Sequence, residues 1–328
     1  MTSQHPALAR ANEIADTVLF PAATTVDTTG HIPRAHLDLL ADAGFYGMSA
    51  GPDIDFPTAC AITETFAAGC LSTAFVWLQH QGVVRRVAGS SLADELLDDL
   101  RLGKQRGGVA LGGTLPGPPR LRASAVPGGY QLTGESPWVT GWGMIDLLLV
   151  MARDEHDNLI SAVIDARESD ALTVTSPLRM IATTASSTVT AHFTDLFVPA
   201  EAVVDEQPYA EWAERDAAGL RFNGSLALGV TNRCTRLLGP TPLDAELAAC
   251  RSRMDTAGPD DLPAARAAAD ELAVRASSML LVRTGSRSIL LDEHPQRLAR
   301  EALFLLVFSS RKGIRAALLE TFGARGDA

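Results

Sequence analysis

The chain has 328 residues, 46% of them hydrophobic and 20% charged, which is typical of a globular protein with a large core in two or three domains. Lys and Arg number 28 against 39 Asp and Glu, and the net charge of -11 disfavours nucleic acid and anionic membrane surfaces as partners. The N-terminus lacks the apolar region of a secretory signal, and no apolar run approaches the roughly 20 residues of a membrane-spanning helix, so we expect a cytoplasmic protein.

Cysteine and histidine are arranged in a way that disfavours a metal site. The cysteines form no Cys-x-x-Cys pair, and the seven histidines include no pair at the i, i+4 spacing that directs two imidazoles at one metal. His80 and His192 could line a cavity, although a lone histidine is most often structural. The cysteines lie in apolar or helical stretches, where reduced structural thiols are expected: Cys60, Cys70, Cys234 and Cys250.

The first third of the chain predicts a helical domain, residues 1–105, because apolar residues recur at spacings of three and four. Pro33 lies in an opening turn, Gly44 at a C-terminal cap position, and Ser72 is a candidate N-cap. The predicted helices cover residues 16–30, 33–47, 56–69, 72–89 and 90–104.

Short strands follow, and they predict an antiparallel β-barrel-like domain over residues 106–204. Gly, Pro and Thr separate runs rich in Val, Ile, Leu and Thr. In the last run apolar and polar residues alternate, so one face should be buried: Val189, Ala191 and Phe193 against Thr188, Thr190, His192 and Thr194. The predicted strands cover residues 107–112, 120–126, 129–135, 144–152, 159–165, 172–176 and 187–193.

Helices then return and predict a C-terminal helical bundle over residues 205–328. The sequence has no G-x-G-x-x-G after a strand and no P-loop motif, which disfavours a nicotinamide Rossmann site and a P-loop nucleotide site. The expected fold class is α+β, with a helical domain, a β domain and a second helical domain in that order. The predicted helices cover residues 220–239, 242–255, 260–285 and 295–322.

Four segments, in chain order, resemble the acyl-CoA dehydrogenase family. They are ETFAAGCLSTAFVWLQHQGVVRRVAG, GGYQLTGESPWVTGWGMIDLLLVMA, STVTAHFTDLFVPAEAVV and PQRLAREALFLLVFSSRKGIRAAL. The second is similar to the family's GGY-x-LNG-x-K-x-WITN run, and the third to the phrase that leaves its β domain. Together the four segments span most of the chain. The resemblance implies the family's helix–sheet–helix fold and an FAD cofactor.

The resemblance also implies where the flavin lies. Trp138, Val139 and Thr140 match the segment that stacks on the flavin ring and hydrogen-bonds it. A Trp face and a Thr hydroxyl suit a planar heteroaromatic ring, although Trp138 is also typical of a strand residue in a core. A shortened glycine loop, which lacks the family's Glu and Ser-Asp residues, matches a second segment that binds flavin and acyl-CoA: Leu111, Gly112, Gly113 and Thr114.

The usual catalytic base of the family is missing at its expected position. In these enzymes a carboxylate removes the α-proton of an acyl thioester while the β-hydrogen passes to the flavin as hydride. The matching position here is Ser309, whose hydroxyl has no visible partnering base. Some members carry the base on the first helix after the β domain, but the matching stretch here, AAGLRFNG, also lacks a carboxylate. Glu214 and Asp216 closely precede this stretch and are the candidates. Acidic residues at a helix start are also typical of solvated side chains.

The sequence lacks the family's R-x-x-FG segment, whose Arg reaches the flavin diphosphate of a neighbouring subunit. Arg283 and Arg287 stand roughly where the family's Q-x-x-GG-x-G phrase is expected, and Arg311 and Lys312 follow the missing base. An Arg can bind a diphosphate through two hydrogen bonds, although exposed cations at helix ends are common. These cations are therefore candidate phosphate ligands.

Three functions fit the resemblance. The first is an FAD-dependent acyl-CoA dehydrogenase-like oxidoreductase that acts on the Cα–Cβ bond of an acyl-CoA or other acyl thioester and passes electrons to a transfer partner. The second is a non-catalytic subunit of a heteromeric acyl-CoA dehydrogenase, which would explain the missing Glu and the missing flavin anchor together. The third is a flavin-dependent monooxygenase of the same fold, which needs no α-proton base. We expect a homo-oligomer, or a hetero-oligomer with a homologous dehydrogenase subunit.

Overall fold

The structure is a computed structural model that describes residues 5–216, 219–309 and 311–323. Its N-terminal part is helical, as the apolar spacing predicts. The helices there are α1 Pro6–Ile14, α2 Phe20–Thr29, α3 Arg34–Asp42, α4 Phe56–Gly69, α5 Leu71–Ala88 and α6 Ala93–Arg101. A π-helical turn, Ala15–Leu19, joins α1 to α2, and a 3-10 turn, Phe45–Ala50, follows α3.

The helix ends in this part follow the sequence signals with two exceptions. Gly44 has a φ of +81° two residues after the end of α3, as its predicted cap position requires. The N-cap expected at Ser72 is wrong, because α5 begins one residue earlier and Ser72 is buried inside its first turn. The sequence prediction also omits α1, where Pro6 lies in the first turn and the His5 side chain accepts the Ala7 N–H.

Within the described residues, the central part of the chain forms eight strands. They are β1 Gly107–Ala110, β2 Leu121–Val126, β3 Gly129–Val139, β4 Leu147–Arg153, β5 Asn158–Asp165, β6 Leu172–Val174, β7 Val189–Pro199 and β8 Val203–Pro208. One sheet contains them in the order β6-β7-β3-β2-β4-β5-β8, with β1 paired to β4. Most pairs are antiparallel, as predicted. The exceptions are the parallel β1–β4 pair and one parallel bridge between Arg122 and Arg153.

Strand β8 is absent from the sequence prediction. It pairs with β5 and spans the expected domain boundary after Val204, so the sheet continues to Pro208. The division of the chain into three domains stays a prediction.

The alternation predicted for β7 is confirmed for its apolar face and wrong at one polar position. Val189, Ala191 and Phe193 are buried against the sheet core. Thr188, expected on the polar face, is buried as well. Its burial is tolerated because its hydroxyl oxygen lies 2.8 Å from that of Ser186, so the two side chains share a hydrogen bond inside the protein.

The C-terminal part is a helical bundle in which the last predicted helix is divided. Its helices are α7 Tyr209–Asp216, α8 Gly219–Leu238, α9 Leu243–Thr256, α10 Leu262–Thr284, α11 His294–Leu305 and α12 Lys312–Thr321. The continuous helix expected over residues 295–322 is wrong, because a turn after Leu305 separates α11 from α12, and Ser309 there has a left-handed φ of +53°. Helix α7 is absent from the prediction. Among the described residues, no helix has an apolar stretch long enough to cross a bilayer.

The segment PQRLAREA anchors α11 to the rest of the molecule. Arg297 donates to Glu301 at 2.6 Å, and both side chains are buried. Arg300 forms an ion pair with Asp27 of α2 and donates to the Ile181 carbonyl at 2.9 Å. These contacts tie the C-terminal bundle to an N-terminal helix and to the segment before β7.

The four cysteines are buried and unpaired, as the sequence predicts for structural thiols. Burial raises the pKa of the Cys60 and Cys250 thiols to about 11 and that of Cys234 to about 12. These thiols are therefore protonated at neutral pH and serve as small apolar groups in the core.

Candidate functional site

Trp138 borders a cleft of about 510 Å³ on the sheet. Its side chain is 63% exposed, and its backbone has a left-handed φ of +64° at an irregularity in the β3–β7 pairing. A left-handed backbone is costly for a bulky residue, and such strain is often kept at functional positions. The alternative that Trp138 fills the core is thus excluded. The other residues of this Trp138 cleft are Leu115, Pro116, Arg120, Pro137, Leu178 and Thr190.

The two residues after Trp138 lie beneath the surface. The Val139 side chain belongs to the sheet core, and Thr140 is only 2% exposed. The hydroxyl oxygens of Thr140 and Thr188 are 3.1 Å apart, so the two side chains share a hydrogen bond. The flavin contacts expected of Val139 and Thr140 stay predictions, and the Thr140 hydroxyl can donate to a ligand when the Thr188 hydroxyl is the donor of the bond between them.

The glycine loop after β1 packs tightly onto the sheet. The Gly113 N–H donates to the Met151 carbonyl at 2.8 Å, and a Cβ on Gly113 would lie 2.6 Å from that oxygen. The Thr114 hydroxyl donates to the Leu111 carbonyl at 2.9 Å, which closes the loop on itself. Glycine is therefore required at position 113 by the close approach of two backbone segments, and its amide is already engaged. The flavin contacts expected of Leu111, Gly113 and Thr114 stay predictions.

Ser309, at the expected base position, lies in the turn between α11 and α12. Beside it, the centroid of the Phe308 ring lies 5.0 Å from that of the Phe75 ring of α5, and the centroid of the Phe304 ring lies 5.5 Å from that of Phe75. The side of the turn that faces α5 is thus aromatic.

One of the two candidate carboxylates is brought to the same turn. Asp216, the last residue of α7, forms an ion pair with Arg311, which follows Ser309 by two positions. Burial raises the pKa of Asp216 above its ordinary value, and the positive charge of Arg311 acts in the opposite direction. Glu214 is exposed to solvent.

The other cations expected to bind phosphate lie apart from the cleft. Arg283 is exposed in the last turn of α10, and Lys312 is exposed at the start of α12. Arg287 lies in the 3-10 turn after α10 and pairs with Glu293 at 2.5 Å. In the part of the chain that the structure describes, no hydrogen bond or ion pair joins these cations to the Trp138 cleft.

His80 has a structural role. Its Nδ1 accepts the Gly107 N–H at 2.9 Å, and its Nε2 lies 3.0 Å from the Leu100 carbonyl oxygen. Burial lowers the pKa of His80 to about 4, so the neutral ring fastens α5 to the first residue of β1. His192 is partly exposed on β7, with Nδ1 3.9 Å from the Glu135 carboxylate.

Arg120 is a cleft residue that the sequence analysis misses. Its guanidinium lies 2.9 Å from the Glu135 carboxylate, and more than half of its side chain is exposed beside the cleft. The available signal was its place at the end of the Pro- and Gly-rich stretch LPGPPR, as the first residue of a predicted strand.

Residues 2–90, which include α1 to α5, match the family model described as Acyl-CoA dehydrogenase, N-terminal domain. A relative named 3-sulfinopropanoyl-CoA desulfinase, from Variovorax paradoxus, is 27% identical over 163 residues, which are 46% of this chain and 41% of that protein. The N-terminal helices of the chain are thus similar to the N-terminal domain of acyl-CoA dehydrogenases. The resemblance found in the sequence is confirmed.

Two further relatives carry acyl-CoA dehydrogenase names. Benzylmalonyl-CoA dehydrogenase of Aromatoleum aromaticum is 23% identical over 66% of this chain and 61% of that protein. The Bacillus subtilis protein named "Probable acyl-CoA dehydrogenase YngJ" is 23% identical over 90% of this chain and 80% of that protein. The match spans less than two thirds of the desulfinase and of the benzylmalonyl-CoA dehydrogenase.

Solved structures of other proteins, two of them named acyl-CoA dehydrogenases of particular substrates, share the fold of this chain. A glutaryl-CoA dehydrogenase in complex with glutaryl-CoA aligns with a TM-score of 0.83 at 16% identity, over 97% of this chain and 95% of that one. Butyryl-CoA dehydrogenase of Megasphaera elsdenii aligns with a TM-score of 0.81 at 16% identity, over 98% of each chain. An FAD complex of PigA aligns with a TM-score of 0.82 at 17% identity, over 99% of each chain. The predicted order of helical, β and helical parts is confirmed.

Proposed function

We propose that the chain is an FAD-dependent, acyl-CoA dehydrogenase-like oxidoreductase that acts on the Cα–Cβ bond of an acyl thioester. The observation that carries this proposal is the exposed, left-handed Trp138 beside a cleft in a chain that resembles this family. Relatives named for acyl-CoA substrates and the FAD complex of PigA support the proposal.

The residues of the Trp138 cleft suit a flavin. Its volume of about 510 Å³ lies within the range of roughly 300–1,000 Å³ that is usual for small-molecule sites. Trp138 offers an exposed ring face for stacking, and the Arg120 guanidinium offers paired N–H donors for a phosphate. When bound, the flavin supplies an acceptor for the two electrons of the β-carbon–hydrogen bond.

Asp216 is the carboxylate that we assign to the α-proton. It pairs with Arg311 in the turn that carries Ser309, so it approaches the usual base position from α7. Its raised pKa makes the carboxylate a better proton acceptor near neutral pH, while the guanidinium favours its ionised form before the proton arrives. Asp216 would take the α-proton while the β-hydrogen and its electron pair passed to the bound flavin, so that the Cα–Cβ single bond would become a double bond.

Flavin binding is the first test. The purified chain should show visible flavin absorbance or bind added FAD, and an acyl-CoA should bleach the bound flavin under anaerobic conditions. Trp138→Ala should weaken FAD binding by roughly five- to 150-fold, the loss expected for an aromatic stacking partner. The matched control is Phe197→Ala, because Phe197 is an exposed aromatic residue elsewhere on the same sheet. Equal FAD affinity in both variants would count against the assigned flavin position.

The base assignment needs a test that is independent of the electron acceptor. Exchange of the acyl-CoA α-proton with deuterated water, followed by NMR, reports proton removal directly. Asp216→Asn should reduce this exchange by about 100-fold or more, whereas the neighbouring Glu214→Gln should leave it near the wild-type rate. Wild-type exchange in Asp216→Asn would remove Asp216 from the mechanism.

We also propose that the chain pairs with a second copy of itself through the C-terminal bundle. Five exposed apolar side chains cluster in sequence at the end of α10 and in the turns that follow it: Met279, Val282, Ile289, Leu290 and Leu291. Exposed apolar patches of this kind favour association. Light scattering should give the molar mass of a dimer or a larger assembly. The double variant Val282→Glu with Leu291→Glu should instead give the molar mass of a monomer. Leu102→Glu, at an exposed apolar residue after α6, is the control.

A second candidate function is favoured by the serine at the base position. A chain without its own base could be the non-catalytic subunit of a heteromeric acyl-CoA dehydrogenase. Flavin that appears only after co-expression with a homologous dehydrogenase, and never on the chain alone, would favour this role. Flavin on the chain alone that is bleached by an external reductase and not by acyl-CoA would instead favour a monooxygenase.

A further inference from the structure

The loop that borders the Trp138 cleft is held by a side chain from the sheet. Arg153, at the end of β4, is only 5% exposed. One of its terminal nitrogens donates to the carbonyls of Leu115 at 3.1 Å and Gly117 at 2.7 Å, and the other donates to Asp157 at 3.0 Å. A single buried guanidinium thus fixes two carbonyls of the loop and is neutralised by one carboxylate.

Helix α7 contacts the same loop through Tyr209. The Tyr209 hydroxyl donates to the Thr114 carbonyl at 3.3 Å, and the Tyr209 ring lies 4.0 Å from the Arg153 guanidinium. At this distance a cation and an aromatic face attract each other. Arg153 and Tyr209 together therefore hold three of the four carbonyls between positions 114 and 117.

The stack continues along α7 to the turn that carries Ser309. The Trp212 ring stacks on the Tyr209 ring with their centroids 5.9 Å apart, and the Cζ atom of Arg311 lies 6.0 Å from the centroid of the Trp212 ring. A row of stacked side chains, in the order cation, ring, ring, cation, thus connects the two loops of the proposed site: Arg153, Tyr209, Trp212 and Arg311. We call these four residues the α7 stack.

We infer that the α7 stack is a positioning device in which Arg153 and Tyr209 set the conformation of the 114–117 loop for flavin binding. The consequence for flavin binding rests on the proposed function. The ordering of the loop does not, because it depends only on contacts within the chain.

Hydrogen–deuterium exchange of the chain without added flavin tests the ordering. Lysine cannot reproduce the planar, forked contact of Arg153 with two carbonyls, and Phe at position 209 removes only the bond to Thr114. Arg153→Lys and Tyr209→Phe should raise amide exchange in the 111–117 segment by roughly two- to tenfold, as expected for lost hydrogen bonds. Exchange in β5 should stay unchanged, which shows that the variants are folded.

Matched controls are available on the same sheet. Arg122→Lys alters the exposed bridge partner of Arg153, and Tyr130→Phe removes a hydroxyl that bonds Glu206 at 3.0 Å, outside the loop. Both controls should keep wild-type exchange in the 111–117 segment.

FAD titration, followed by flavin fluorescence and by the shape of the bound-flavin absorption band, tests the consequence. Arg153→Lys and Tyr209→Phe should weaken FAD binding by roughly two- to tenfold, and the controls should not. Unchanged loop exchange in both variants would overturn the inference. Faster loop exchange with unchanged FAD affinity and spectrum would overturn its link to flavin. Faster exchange in a chain whose wild type binds no FAD would refute the proposed function and leave the loop-ordering role standing.

Discussion

His80 makes the stability of the protein depend on pH in a way that can be measured. Its Nδ1 accepts the Gly107 N–H, so the neutral ring must carry its proton on Nε2, where it donates to the Leu100 carbonyl. A second proton on Nδ1 would point at another donor inside the protein. Burial accordingly lowers the pKa of His80 from 6.5 to about 4.

The sign and size of the effect follow from this shift. Between pH 6.5 and 4 the unfolded chain binds a proton at His80 that the folded chain does not, so stability is full above pH 6.5 and falls as the pH drops. The free energy of unfolding falls by about 1.4 kcal/mol per pH unit in this range, which gives a loss of about 2 kcal/mol between pH 6.5 and 5.

Urea unfolding between pH 7.5 and 5, followed by tryptophan fluorescence, measures this contribution. His80→Asn retains an acceptor for Gly107 but cannot titrate, so it should be less stable than wild type at pH 7.5 by about 1–3 kcal/mol. The difference in the free energy of unfolding between wild type and His80→Asn should be smaller by about 2 kcal/mol at pH 5, because only the wild type loses stability through His80. His156→Asn, at an exposed histidine, should run parallel to wild type. A gap between wild type and His80→Asn that stays constant with pH would refute the reasoning.

Three further substitutions test the packing around the site. Gly113→Ala should destabilise the chain by about 1–3 kcal/mol in urea unfolding and weaken FAD binding, because the new Cβ would strike the Met151 carbonyl. Gly82→Ala, inside α5, should instead stabilise it by about 0.5–1 kcal/mol, since its Cβ would meet only Val109, at 3.9 Å. Arg297→Met should cost about 3–5 kcal/mol by leaving Glu301 buried without its partner, and a smaller loss would show that Glu301 is reached by water or protonated.

The sequence predicted the elements whose signals are local. The spacing of three and four in the N-terminal third produced helices, and the alternation of Val189, Ala191 and Phe193 produced a strand with one buried face. Local signals were wrong or insufficient where contacts with other elements decide where a helix begins or whether a strand forms. Ser72 is a good capping residue, yet α5 begins at Leu71, which is fully buried in the helical core. Strand β8 has no strong alternation of its own and forms because β5 offers it an edge.

The sequence pointed to Trp138 but not to its geometry, and it did not point to Arg120 or Arg153. Trp138 is identified by a motif, but its exposure and left-handed backbone follow from an irregularity in how β3 pairs with β7, which depends on both strands. The same pairing buries Thr140 against Thr188, forty-eight positions along the chain. Arg153 gives almost no signal beyond a charge after a buried run, because Asp157 is a nearby partner but its other partners lie in the 115–117 loop and in α7.

The sequence by itself determined the resemblance to acyl-CoA dehydrogenases, the order of the helical, β and helical parts, and the presence of a serine at position 309, since each depends on local periodicity or on a motif. Only the tertiary structure decided which carboxylate meets the turn around that position. Asp216 and Arg311 are separated by most of the C-terminal bundle in the chain and are joined by the packing of α7. Side chains distant in sequence are brought together by burial of the apolar surfaces between them, a property of the whole fold that no short segment carries.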